Sequence, residues 1–309
     1  LLYGVGSLMF VPGEYWMSFN FFLFSLFVIA CGLVFLETAA NPYMTELGDR
    51  ETAASRLNLA QSFNGLGCIC GPLVGGLLLF SEDGSPAIAL PYTLMGIVVL
   101  SVAMVFSKIR LPEIVHEEEN KEQEKVGGLW SHKLFILGVA ALFCYEIAEI
   151  SINSFFINYV TEQDPSIDPE KASRFLAFGG MTLFMVGRLS GSMLMKWTTP
   201  NKLLVLFSLI SSVCMLLVIL SLGRISLYAL YTTFFFMSIM FPTIFALGLS
   251  NMGTLTKKAS SYIVMGVAGG AFSPMLMGLI GENNMAVGFI VPFVAFIYIL
   301  FFAAKGYRS

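Results

Sequence analysis

"FNFFLFSLFVIACGLVFLETAANPYMTEL", residues 19–47, places an acid, Glu37, directly behind a long apolar run whose only strongly polar side chain is Asn20. A helix needs about 20 mostly apolar residues to cross a bilayer, and this run is long enough. It does not alternate, as the strands of a membrane barrel would. Its backbone must satisfy its own hydrogen bonds, so a membrane helix is expected. A carboxylate at mid-helix costs roughly 2.5–3.5 kcal/mol by insertion scales. An acid kept at such a position points to a use.

The composition extends this reading to the whole chain. Of 309 residues, 57% are hydrophobic and 12% charged, and the mean hydropathy is +0.80. Soluble domains are roughly 45–50% apolar and about 25% charged, so lipid is the expected solvent and the protein is polytopic. The net charge of −3 gives no basic footprint for nucleic acid. The five cysteines (Cys31, Cys68, Cys70, Cys144, Cys214) lie in apolar runs, where thiols act as small hydrophobes. Cys68 and Cys70 lack a second pair, so no metal site is expected. No cofactor motif is present. His116 and His132 fall in or beside the one long polar segment.

Nine whole spans are expected at 18–45, 57–80, 88–108, 132–160, 172–195, 201–221, 226–249, 260–280 and 285–305, with a partial one at 1–11. The opening "LLYGVG" lies inside an apolar run and has no basic n-region. It reads as a helix cut through, not as a signal peptide. Lys and Arg collect on the cytoplasmic side. With the 46–57 loop inside, Arg50, Arg56, Lys108, Arg110, Lys121, Lys125, Lys133, Arg188, Lys196, Lys202, Lys257, Lys258, Lys305 and Arg308 fall inside. Lys171, Arg174 and Arg224 fall outside. The C-terminus and the charged segment 111–131 are therefore expected in the cytoplasm. That segment divides the chain into 1–110, a remainder of one helix bundle, and 132–309, a six-helix bundle.

An internal repeat accompanies this division. "PYMTELG" (Pro42–Gly48) and "PTIFALG" (Pro242–Gly248) share P-x-x-x-x-L-G. Gly67, Pro72 and Gly76 match Gly269, Pro274 and Gly278 in the same order. Duplicated halves of this kind are common in transporters. Gly67, Gly71 and Gly75 share a helix face, as do Gly187 and Gly191, and Gly266 and Gly270. Small residues let helix backbones approach, so these glycines, with Pro72, Pro242 and Pro274, are candidates for packing or sliding surfaces.

Polar groups inside the spans are the candidate site. Burial disfavours the charged form of a carboxyl. Such a group can hold a proton and release it when water or a cation arrives, which makes Glu37 the candidate proton-coupling acid. Asn41 lies one turn on. On the next span Asn58, Gln61 and Asn64 recur at helical spacing. Amides both donate and accept, which suits a ligand rich in hydroxyls, although the same stripe would serve for interhelical bonding. In "CYEIAEISINSFFINY", Glu146, Glu149 and Asn153 share a face amid Phe143, Tyr145, Phe155, Phe156 and Tyr159. Aromatic rings there would stack on a sugar or simply pack. Arg188, in "GRLSGS" at an inner helix end, reads as a cytoplasmic anchor.

"LETAANPYMTELG" followed by "RLNLAQSFNGLG" resembles the fucose:proton symporter family of the major facilitator superfamily. "FCYEIAEISI", "GRLSG", "FPTIFALG" and "SSYIVMGVAGGAFSP" extend the likeness over essentially the whole chain. The resemblance implies an all-α polytopic transporter with the major facilitator fold. Of its twelve expected helices this chain would hold the end of helix 3, helices 4–6 and helices 7–12, and would not transport alone. It implies import of a monosaccharide with a proton, or with sodium as the alternative ion, through a bacterial inner membrane. It further implies a functional monomer. Glu37 would be the coupling acid, and Gln61, Asn64 and Glu149 would line the sugar cavity. Glu146 stands where an apolar residue is expected, and the acid of the family's first helix has no counterpart here.

Two other classes compete. A facilitator-fold exporter would have an apolar cavity without the amide stripe. A sugar-sensing receptor would use the fold without transport, and sugar-driven proton uptake would separate it. An enzyme is not expected, since HExxH, GxSxG and GxxxxGK[ST] are all missing.

Overall fold

The structure is a computed structural model that describes residues 1–79, 89–109, 128–250 and 252–305. Side-chain surroundings are described for all of these save 50, 68, 71–79 and 254. Most of the charged segment 111–131 and the acidic loop 81–87 lie outside the described residues, as do the surroundings of Gly71, Pro72 and Gly75.

The described chain is helical throughout. Its first elements are α1 (Leu2–Leu8), α2 (Phe10–Trp16), α3 (Phe19–Glu46), α4 (Ala53–Leu79) and α5 (Ala89–Lys108). After the unlabelled turn Leu129–Ser131 come α6 (Lys133–Gln163), α7 (Pro169–Arg174), a π-helical stretch Phe175–Gly180 and α8 (Met181–Leu194). The chain continues with α9 (Pro200–Ile219), α10 (Arg224–Met237), α11 (Met240–Gly248) and α12 (Thr256–Val264). A 3₁₀ segment, Met265–Ala268, leads into α13 (Gly269–Ile280), followed by α14 (Met285–Gly288) and α15 (Ile290–Ala304).

Seven stretches among the described residues are long and apolar enough to cross a membrane: Phe19–Glu46, Ala89–Lys108, Lys133–Gln163, Pro200–Ile219, Arg224–Gly248, Thr256–Ile280 and Met285–Ala304. The stretch expected at 57–80 is the 27-residue helix α4. The one expected at 172–195 is helical from Pro169 to Leu194 but interrupted by the π-helical stretch. The segment at 1–11 runs further than expected, to Trp16, because Pro12 sits in the first turn of α2, where a missing N–H is tolerated.

By their internal contacts the described helices form two compact units. One comprises Leu1–Asn41 and Cys70–Val115; the other comprises Pro42–Ile69 and His116–Ser309. In the first unit, α1 and α2 pack on α5. Glu14 caps α5, its Oε2 accepting from the Ala89 amide at 3.1 Å. Gly32 meets the backbone of Tyr3 so closely that a β-carbon there would overlap it.

In the second unit, α6 is the hub. It packs on α11, α13 and α15, and α9 packs on α10 and α15. Its buried aromatics interlock: Phe156 meets Tyr231 and Phe234 edge-on, and Tyr159 meets Phe289. Glu162, at the end of α6, accepts from the Met285 amide that opens α14. Arg56 folds back over the end of α3, donating to the carbonyls of Met44, Thr45 and Asp49 and to the Thr52 hydroxyl. Two helix-end carbonyls, and that of Asp49 beyond them, are thereby satisfied by one guanidinium.

Asp168 is the N-cap of α7: its Oδ1 accepts from the Lys171 amide at 2.8 Å, and Lys171 Nζ lies 3.1 Å from Oδ2. The Lys171 amide and then its ammonium hold the Asp168 carboxyl below its ordinary 3.8. A depressed folded value means the cap contributes fully above 3.8 and is lost as pH falls through the lower folded value. Amide exchange at Lys171, corrected for its intrinsic rate, is expected to accelerate in that acid window. Asp168→Asn should remove the acid step, and an unchanged step would refute the assignment.

Candidate functional site

In the second unit the site is assembled from α4, α6, α8 and the α10–α11 break. The break follows from Pro242. A proline cannot donate to the carbonyl four residues back, which is Ser238, and the helix is interrupted at Ser238–Ile239. The stranded Ser238 carbonyl accepts instead from Arg188 Nε at 2.9 Å. Non-helical backbone at membrane depth needs such a partner.

Arg188 is only 3% exposed. Its Nη1 donates to the Gln61 carbonyl at 2.8 Å and reaches Gln61 Oε1 at 3.4 Å. The guanidinium carbon lies 4.4 Å above the Phe184 ring, a cation–π geometry. The guanidinium of Arg188 thus rests on carbonyl dipoles and a ring face.

Gln61 in turn accepts from Asn64 Nδ2 at 3.4 Å, placing two amides one turn apart on α4. Asn64 is exposed and Gln61 half-buried. One turn before them, Asn58 is fully buried and donates to Thr243 Oγ1 at 3.1 Å. A further turn down, Ser55 and Ser192 exchange hydroxyl-to-carbonyl bonds at 2.8 and 2.9 Å. Ser55, Asn58 and Gln61 thus form one hydrogen-bonded face of α4, with Gly65 packed on Met185 above it. Sequence spacing exposes that stripe. Its partners Ser192, Thr243 and Arg188 lie 127 to 185 positions away and leave no local signal.

On α6, Tyr145 is fully buried, and its ring packs beside Phe241. Its hydroxyl lies beside the Glu149 carboxylate without closing a hydrogen bond of good geometry. Glu146 and Arg188 are within electrostatic range of the same hydroxyl. Glu146 is 8% exposed and faces Gly270, where an added β-carbon would lie 3.8 Å from its Oε2. Asn153, two turns beyond Glu146, has a buried Oδ1 with no hydrogen-bond partner. The structure therefore gathers Gln61, Asn64, Tyr145, Glu146, Glu149 and Arg188 within one unit. Tyr145 is the member that sequence patterning passed over as one aromatic among many.

Glu37 and Asn41 belong to the first unit. Both lie on α3, one turn apart; Glu37 is half-buried and Asn41 is buried. Of the small residues, Gly187 abuts the Phe235 carbonyl and the Ser238 hydroxyl, and Gly191 abuts Ile239. A β-carbon at Gly67 would meet nothing within 4 Å. Pro274 lies inside α13. Among the described residues no group of three or more His, Cys, Asp or Glu is placed to hold a metal ion.

The sequence pattern of the Major Facilitator Superfamily matches residues 1–274. The chain belongs to the major facilitator superfamily. Its relatives within that superfamily carry the names of sugar transporters. It is 37% identical to a putative glucose/galactose transporter of Helicobacter pylori strain J99, over 98% of this chain and 78% of that protein. It is 33% identical to the L-fucose-proton symporter of Escherichia coli K12, over 98% of this chain and 75% of that protein. The crystal structure of the major facilitator transporter FucP in the outward conformation superposes with a TM-score of 0.88 at 31% identity. That match covers 100% of this chain and 81% of FucP. The chain is thus an integral membrane protein of the fucose:proton symporter family, as the resemblance implied.

Proposed function

We propose that this protein imports a monosaccharide of the fucose or glucose/galactose type together with a proton, by alternating access in a bacterial inner membrane. The observation that carries the reading is the pair of adjacent, mutually bonded amides Gln61 and Asn64 on α4, in a chain whose membrane helix α3 carries the acid Glu37. Adjacent amides can donate to one sugar hydroxyl and accept from its neighbour. An acid within an apolar helix takes up a proton when water is withdrawn and loses it when water returns. Asn41, Glu149 and Asn153 complete the sugar-facing set in this reading, and the glycine and proline positions Gly67, Gly71, Pro72, Gly75, Gly187, Gly191, Pro242 and Pro274 allow the helices to move. The names of the relatives support the same substrate class.

The first bundle would comprise 1–110 and the second 132–309, joined by 111–131 on the cytoplasmic side, with the C-terminus on that side too and one chain sufficient for function.

The test records external pH on adding each of a panel of sugars to energy-depleted cells that lack their own sugar uptake and express the complete gene. Alkalinisation with one sugar or a small group is expected. Labelled sugar entering without any pH change would leave sodium symport or facilitated diffusion. If no sugar enters and other solutes leave, the exporter reading replaces this one.

A further inference from the structure

We propose that Arg188 is the positioning residue of the sugar site, holding the Gln61 main chain so that the Gln61 and Asn64 amides are set for a sugar before it arrives. The inference rests on the sugar reading of those amides. Its basis is the geometry of one guanidinium shared among three elements. Nε closes the carbonyl stranded by Pro242 at the α10–α11 break. Nη1 grips the Gln61 carbonyl on α4. The guanidinium carbon sits over Phe184 on its own helix.

A buried, fully charged side chain is costly in a membrane, and here it terminates on main-chain oxygens. Those oxygens fix backbone position, not side-chain identity. The same Nη1 lies 3.4 Å from Gln61 Oε1, and that oxygen accepts from Asn64. The orientation of both amides is thereby referred to Arg188. The planar fork matters: two acceptors on different elements are reached at fixed angles, which a lysine ammonium on a flexible stem does not reproduce. A turn or more below, the Asn58–Thr243 and Ser55–Ser192 bonds dock the same face of α4 without touching Gln61. They provide an internal contrast.

The experiment compares sugar binding by purified wild type, Arg188→Lys and the double variant Ser55→Ala/Ser192→Ala. The sugar is the one that gives alkalinisation with the wild type. Loss of a charge-assisted bond in Arg188→Lys should weaken sugar affinity by at least about tenfold. Maximal exchange at saturating sugar should be retained. The double serine variant, which loosens the docking but leaves the Gln61 contact, should keep wild-type affinity.

Equal affinity in wild type and Arg188→Lys overturns the proposal, as does an equal loss in both variants, which would mark Arg188 as a packing anchor only. Wild type that binds no sugar overturns the sugar reading and this inference with it. Hydrogen exchange on the wild type covers the case in which Arg188→Lys does not fold. Sugar should then slow exchange at 57–66 and at 235–243 together, and protection confined to 57–66 would refute the coupling through Arg188.

Discussion

Glu37→Gln is expected to reduce sugar-driven alkalinisation to background while labelled sugar still exchanges across the membrane. The substitution keeps the size and hydrogen-bonding reach of the side chain but removes the site that binds and releases a proton. The residue is half-buried on α3, a helix long and apolar enough to cross a membrane. A charged carboxyl there is disfavoured by roughly 2.5–3.5 kcal/mol on insertion scales, and an amide escapes that term. Net transport coupled to protons requires the protonated and deprotonated forms to alternate; exchange of sugar for sugar requires only one form. Counterflow and pH recording on the same preparation separate the two. Alkalinisation that persists in Glu37→Gln would remove Glu37 from the coupling role. Loss of both activities with normal folding would make it part of the sugar site instead.

Gly187→Ala is expected to lower stability by about 1–3 kcal/mol, the usual range for overpacking, whereas Gly67→Ala should be neutral or raise it by up to about 1 kcal/mol. Both glycines lie on helices and both were candidates for helix-packing faces. At Gly187 the added β-carbon would overlap the Phe235 carbonyl and the Ser238 hydroxyl. The hydroxyl can rotate away; the carbonyl belongs to the backbone of α10 and cannot. At Gly67 nothing lies within 4 Å, so the methyl brings only the higher helix propensity of alanine. Thermal unfolding in detergent, read as a midpoint shift, distinguishes the two. Similar midpoints for both variants would mean that the α8–α10 approach relaxes freely. The Gly187 site also borders the hydroxyl of Ser238, the residue whose carbonyl Arg188 closes, so its variant is expected to weaken sugar binding along with stability.

The spans were legible because hydropathy is a local property. A run such as 19–36 reads as a membrane helix whatever surrounds it, and the Lys and Arg bias of the loops is equally local. The interruption of Arg224–Gly248 was partly legible, since Pro242 cannot donate to Ser238. Its consequence was not. In sequence, Arg188 stands among the charges that flank membrane helices and reads as an anchor at the inner end. In the fold it is buried, because acceptors on α4 and at the α10–α11 break converge on it from 127 and 50 positions away.

Residue types and helical spacing by themselves determined that this is a polytopic helical protein with an acid and an amide stripe in its membrane segments. They also carried the family likeness, since those features reside in short contiguous runs. Only the tertiary structure decided which of the polar groups meet. Asn58 is spent on Thr243 and Ser55 on Ser192, Gln61 is held by its main chain, and Tyr145 stands beside Glu149. The reason is physical. Placing a residue in a membrane is governed by the solvation of its own side chain, a one-body term. Satisfying it once there depends on donors and acceptors brought from distant helices, and no local pattern records those distances.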